Sequence, residues 1–302
     1  MTGKSESAAE RGGLAGAGGG AGRQAGAARL RSADAATLSR GARRRAEGGK
    51  TITRRLPLVG ALFALVFAAV TTPALAAEIQ VAVAANFTEP AKEIATAFTA
   101  ATGHKAILSF GSSGQFYAQM AHGAPYEVFL SADADRPAKA EKDGLAVPNS
   151  RFTYAVGRLV LYSKTPGLVD DRGAVLKTDK YAKLSIADPA AAPYGAAAVQ
   201  TLQHLGVYDQ VKPKIVQGTS ITQAYQFVAS GAAELGFVAL SQVINEPGGS
   251  RWLVPTGDHE PIDQQAILLL TGEKNPAAAA FLKFLKSPQA VAIIKRYGYE
   301  VR

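Results

Sequence analysis

The chain has 302 residues, enough for one or two domains with sizeable cores, and carries 33 Lys and Arg against 24 Asp and Glu. The formal charge of +9 suggests a nucleic-acid binder, but residues 1–76 hold 12 of the basic residues and 4 of the acidic ones. The rest is therefore nearly neutral, which removes most of the support for a polyanion-binding surface. There is no cysteine, which excludes disulfides, thiolate metal sites, a cysteine nucleophile and the acceptor for a lipid anchor.

Residues 1–50 are rich in Ala, Gly and Arg and nearly free of large apolar side chains, so they cannot bury a core. They read as a disordered extension ahead of a natural start near residue 50. Residues 51–77 read as a signal peptide. Arg54 and Arg55 precede an apolar run from Leu58 to Val70, and "ALA" at 74–76 fits the small-residue cleavage rule. That run is short for the ~20 residues of a membrane span. A free, periplasmic mature protein is expected.

From Glu78 onward strands and helices alternate. "EIQVAVAA" (78–85) suits a buried parallel strand. "TEPAKEIATAFTAATG" (88–103) is an amphipathic helix with Thr88 as a possible cap and Gly103 as its stop. Strands follow at 105–110, 127–132, 158–163, 183–188, 214–218, 234–239 and 264–270. Helices fall at 114–123, 194–205 and 221–230, and two more close the chain over 276–298. Such alternation predicts an α/β protein with parallel, doubly wound sheets.

Three turns share one design. "AANFT" (84–88), "GSSG" (111–114) and "GTSIT" (218–222) each follow a strand and open a helix. A helix N-terminus leaves backbone donors unpaired and carries about half a positive charge. One such turn is ordinary capping; three at the carboxyl ends of strands make an anion cup. "ADPAAAPYG" (187–195) is a rigid turn with Tyr194 at the helix start, and taken alone it reads as structural. "GSSGQ" falls short of a nucleophile elbow because Gln115 stands where glycine is needed. A secreted serine hydrolase using Ser112 or Ser113 is thus a remote alternative. His104, His122, His204 and His259 are scattered, and Asp133 and Asp135 read as solvated acids at a helix start rather than metal ligands.

"AANF", "GSSGQ", "GAPYEVFLSAD", "APYG" and "ASGAAELGFVAL" together resemble the periplasmic molybdate-binding proteins of ABC importers. The resemblance covers nearly all of residues 78–302. It implies a two-lobed, type II periplasmic-binding-protein fold, each lobe a mostly parallel sheet flanked by helices. Residues 78–158 plus 267–302 would form lobe I and 159–266 lobe II, with two chain crossings as a hinge. The implied anion contacts are Ala85, Asn86, Ser113, Tyr194 and, through its backbone N–H, Ile221. Ala85 stands where some relatives have a hydroxyl residue, and Ala239 where another branch has a contacting tyrosine, so an amide and a different tyrosine would serve here. The implied ligand is molybdate or tungstate, held through its oxygens with no direct metal ligand and no cofactor. The implied partner is an inner-membrane permease, for a monomeric receptor that is not an enzyme. Sulfate or another small anion on the same fold is the alternative.

Overall fold

The computed structural model describes residues 76–302. The extension and signal-peptide readings for residues 1–75 lie outside the described residues. Two five-stranded sheets organise the chain, one per lobe.

The first lobe begins with β1 (Glu78–Ala84), α1 (Thr88–Thr102), β2 (Lys105–Gly111), α2 (Ser113–Ala121), β3 (Val128–Leu130), α3 (Asp135–Lys142) and β4 (Phe152–Gly157). The chain then crosses to the second lobe. That lobe comprises β5 (Leu159–Ser163), β6 (Leu184–Ala187), α4 (Pro193–His204), α5 (Tyr208–Val211), β7 (Ile215–Gly218), α6 (Ile221–Ala229), β8 (Leu235–Ala239), α7 (Leu240–Val243) and β9 (Ser250–Leu253). It returns to the first lobe through β10 (Ile262–Leu268), α8 (Pro276–Leu285) and α9 (Pro288–Arg296).

The sheet orders are β2-β1-β3-β10-β4 and β7-β6-β8-β5-β9. In each, the strand that follows a crossing runs against the others: β10 is antiparallel to β3 and β4, and β5 to β8 and β9. The remaining pairings are parallel. Fully buried runs such as Val81–Ala84 follow from helices covering both faces of a sheet.

Three expectations are corrected. The return crossing lies between β9 and Ile262 rather than at 266/267, because all of β10 pairs with β3 and β4. The strand expected at 264–270 begins two residues earlier, at Ile262, and backbone pairing with β4 holds its first residues. Thr88 does not cap α1; Phe87 stands at that position, and the Thr88 hydroxyl donates to the Ala85 carbonyl at 2.7 Å. Asp133 is not a solvated acid. Its carboxylate accepts from Ser131 Oγ and from the Arg136 N–H, both at 3.0 Å, and pairs with the Arg136 guanidinium. Gly103 does end α1, at φ 75° in the left-handed region that a side chain would disfavour. Among the described residues, no single helix is long and apolar enough to cross a membrane.

Candidate functional site

Four chain segments that leave strand ends converge where the lobes meet. The short 3-10 turn Ala85–Phe87 follows β1, α2 follows β2, α4 follows β6 and α6 follows β7. The small cavity between them is lined by the β1 end and its turn (Ala84, Ala85, Asn86), by Gly111, Ser112, Ser113 and Ala132 of lobe I, and by Ala192, Pro193, Tyr194 and Ile221 of lobe II. All five residues implied by the sequence, Ala85, Asn86, Ser113, Tyr194 and Ile221, therefore line one cavity. Ala239, at the end of β8, does not line it.

None of the lining side chains is a carboxylate, lysine, arginine or histidine. Among small apolar residues, the lining segments bring hydroxyl groups and the starts of helices to the space. Ser112 caps α2 in a capping box: its Oγ accepts from the Gln115 N–H while Gln115 Oε1 accepts from the Ser112 N–H, each at 3.4 Å. Ser220 caps α6 by accepting from the Gln223 N–H at 3.3 Å. Ser113 and Ile221 are thus the first residues of their helices, where an N–H has no partner within the helix. The fully buried Ser113 hydroxyl accepts from the Ala132 N–H at 2.9 Å, which leaves its own proton free to give.

Tyr194 and Asn86 enter through a buried polar network. Tyr194 is 1% exposed, and its hydroxyl accepts from Gln264 Nε2 at 3.3 Å. Asn86 Nδ2 donates to Gln264 Oε1 and to the Tyr299 hydroxyl, each at 2.9 Å. Both hydrogens of the Asn86 amide are spent inside the protein, and only its backbone N–H, at the start of the 3-10 turn, remains to be given. The Asn86 carbonyl accepts from Tyr299 at 2.7 Å and from Ser241 Oγ at 2.8 Å. Gln264 and Tyr299 carried no signal in the sequence: neither lies in a turn, and each reaches the network only through the placement of β10 and of the chain's end.

Burial holds the Tyr194 hydroxyl well above the ordinary tyrosine range, and burial pushes Tyr299 up to about 12. Both stay protonated at neutral pH. The native state holds these protons more tightly than the unfolded chain does, so their stabilising contribution is present below about pH 10 and is lost as pH rises through the native values. A base titration followed by circular dichroism is expected to show the melting temperature falling between about pH 10 and 12. An unchanged melting temperature across that window would remove this linkage.

The lobes are closed over the cavity. The Gly114 N–H of lobe I donates to the Ala191 carbonyl of lobe II at 2.9 Å, Arg136 Nη2 donates to the Ala190 carbonyl at 2.7 Å, and Thr222 Oγ1 of lobe II donates to the Ala85 carbonyl at 3.3 Å. Neither Ser112 nor Ser113 has a histidine beside it in the cavity, so the hydrolase reading has no base. Among the described residues, no group of three or more His, Asp or Glu is placed to hold a metal ion.

Two mixed α/β lobes closed over a small donor-lined cleft, with no reacting group in it, define a solute-binding protein. The chain belongs to the bacterial extracellular solute-binding protein family, whose model matches residues 79–300, and within it to the ModA proteins. It is 60% identical over 227 residues to the molybdate-binding protein ModA of Rhodobacter capsulatus, covering 75% of this chain and 90% of that one. The ModA of Azotobacter vinelandii is 59% identical over 229 residues, covering 75% and 91%. The solved periplasmic molybdate-binding protein of Azotobacter vinelandii superposes with a TM-score of 0.73 at 45% identity, over 74% of this chain and 99% of that one.

Proposed function

We propose that this protein is a periplasmic receptor that captures molybdate between its lobes and delivers it to the membrane permease of an ABC importer, without chemistry on the ligand. The observation that carries the reading is the cavity itself, where backbone and hydroxyl donors from both lobes converge with no charged side chain among them. The Ser113 hydroxyl, the Tyr194 hydroxyl and the N–H groups of Ala85, Asn86 and Ile221 are the proposed donors to the four oxygens. The dianion's charge is met by the aligned dipoles of the helix starts rather than by a cation. The likeness to the molybdate-binding proteins supports the choice of anion.

A donor-only cup also selects. Phosphate near neutral pH keeps a proton that needs an acceptor, and no carboxylate lines the cavity to take it. Sulfate has no such proton and is separated by size alone, since each donor left unpaired in a site too large for its guest costs ~1–3 kcal/mol. Tungstate is nearly the size of molybdate and is expected to bind as well. We further propose that the mature chain is exported by cleavage of the 51–77 segment and acts as a monomer without nucleic acid.

The test is a calorimetric titration of the mature protein with molybdate, tungstate, sulfate and phosphate. Heat with the first two and none with phosphate is expected; heat with sulfate and none with molybdate would move the ligand to sulfate. Ser113→Ala is expected to weaken molybdate binding about 10- to 150-fold, the worth of one hydrogen bond to a charged group, and Tyr194→Phe by a similar factor. Unchanged affinity in both would place the site elsewhere.

A further inference from the structure

Gln264 is fully buried and lies at the irregularity in the pairing of β10 with β4. It touches both halves of the cleft. Its Oε1 accepts from Asn86 Nδ2 at 2.9 Å and from the Tyr154 hydroxyl at 3.0 Å, both in lobe I. Its Nε2 donates to the Tyr194 hydroxyl of lobe II at 3.3 Å. An oxygen that takes two donors fixes the orientation of the amide, and the other end must then give. A tyrosine oxygen that is already accepting has its own hydrogen to place elsewhere, and the neighbouring Tyr299 hydroxyl is the acceptor it meets inside the protein.

We propose that Gln264 is the positioning residue of the anion cup: it accepts from the lobe I brace and donates to Tyr194, so that the tyrosine's proton is kept off the glutamine and is available to the ligand. The inference rests on the oxyanion reading of the cavity. It concerns direction as well as distance. Were the glutamine replaced by a pure acceptor, the Tyr194 hydroxyl would turn its hydrogen toward that acceptor and its lone pairs toward the dianion, converting a donor into a repulsive contact. Gln264 itself does not line the cavity and acts only through Tyr194 and Asn86.

Gln264→Glu isolates the donating half. Ionised, it keeps the acceptor and loses the donor; protonated, it regains a donor. Molybdate affinity of the variant at pH 8 is expected to fall about 10- to 100-fold and to recover as pH is lowered toward 6, whereas wild type stays flat over that range. The slope is expected to flatten in a Tyr194→Phe background; a slope unchanged there would come from the carboxylate's own charge on the dianion and not from the tyrosine. Gln264→Met, which removes both halves at similar volume, is combined with Tyr194→Phe in a double-mutant cycle: its cost is expected to shrink to under about 3-fold once the tyrosine hydroxyl is gone. A flat profile for Gln264→Glu, or losses that multiply in the cycle, overturns the proposal. Should Gln264→Met fail to fold, the Gln264→Glu profile decides alone. Wild-type protein titrated alongside separates the two readings, because failure of wild type to bind molybdate strikes the ligand assignment and leaves the role of Gln264 toward another oxyanion to the same profile run with that anion.

Discussion

Replacing Ile221 by proline is expected to lower molybdate affinity by about 10- to 100-fold while leaving the fold standing, for the loss of a single hydrogen. Ile221 is the first residue of α6, the one helical position where proline is welcome because its missing N–H would have had no partner within the helix. The preceding residue, Ser220, is extended at φ −148° and ψ 167°, the region that a following proline favours. Its cap on the Gln223 N–H does not involve the nitrogen of residue 221. What proline removes is the donor aimed at the cleft, and a hydrogen bond to a charged partner is worth about 1.5–3 kcal/mol. Ile221 is 3% exposed, so some apolar contact is lost as well. Ile221→Ala supplies the control, since it trims the side chain further but keeps the N–H. The measurement is calorimetry on both variants, with melting temperatures. Equal affinities for Ile221→Pro and Ile221→Ala would mean that the backbone at 221 gives nothing to the anion.

That experiment addresses the part of the site that local sequence carries best. A helix start preceded by a strand and a serine cap is a short-range pattern, and "GSSG" and "GTSIT" marked two walls of an anion cup because free donors are a consequence of where a helix begins; the choice of Ser113 and Ile221 within them came from the family resemblance. Tyr194 was visible only as the tyrosine of a rigid turn and gained its role through the family resemblance. The strands that were missed, β4 and β9, are edge strands of their sheets, and their residues alternate too weakly for periodicity to mark. Gln264 and Tyr299 were hidden for a deeper reason. One is a polar residue inside a strand and the other lies near the chain end, 178 and 213 residues from the asparagine they hold. Nothing local distinguishes a glutamine that braces a site from one that faces water; only the return of the chain to the first sheet after β9 brings the two to Asn86. The same return explains why the Asn86 amide, chemically suited to contact an anion, is occupied elsewhere.

Gly157→Ala is expected to impair molybdate binding without unfolding either lobe, because the added methyl meets the Tyr194 hydroxyl only when the lobes are closed, while its overlap with the end of the Gln264 side chain is the same in both states. Gly157 ends β4 opposite Ile262 at the first crossing. A Cβ built there would lie 2.1 Å from the Tyr194 hydroxyl oxygen and 2.7 Å from Gln264 Nε2, well inside contact distance. Tyr194 rides on α4 of the other lobe, so separation of the lobes relieves the overlap with it, while closure forces the ring aside or leaves the cleft ajar. Overpacking of this kind costs ~1–3 kcal/mol or more. A ligand that binds the closed state has to supply that difference, so affinity falls by about 5- to 150-fold. Small-angle scattering gives the independent readout: wild type contracts on adding molybdate, and the variant does so only at higher concentration. Combining the change with Tyr194→Phe removes the oxygen nearest the methyl, and the double variant is expected to contract more readily than Gly157→Ala alone although its affinity stays limited by the missing hydroxyl. Contraction and affinity matching wild type in Gly157→Ala would show that the hydroxyl of Tyr194 is not drawn into the hinge on closure, and the donor cup would then have to be built without it.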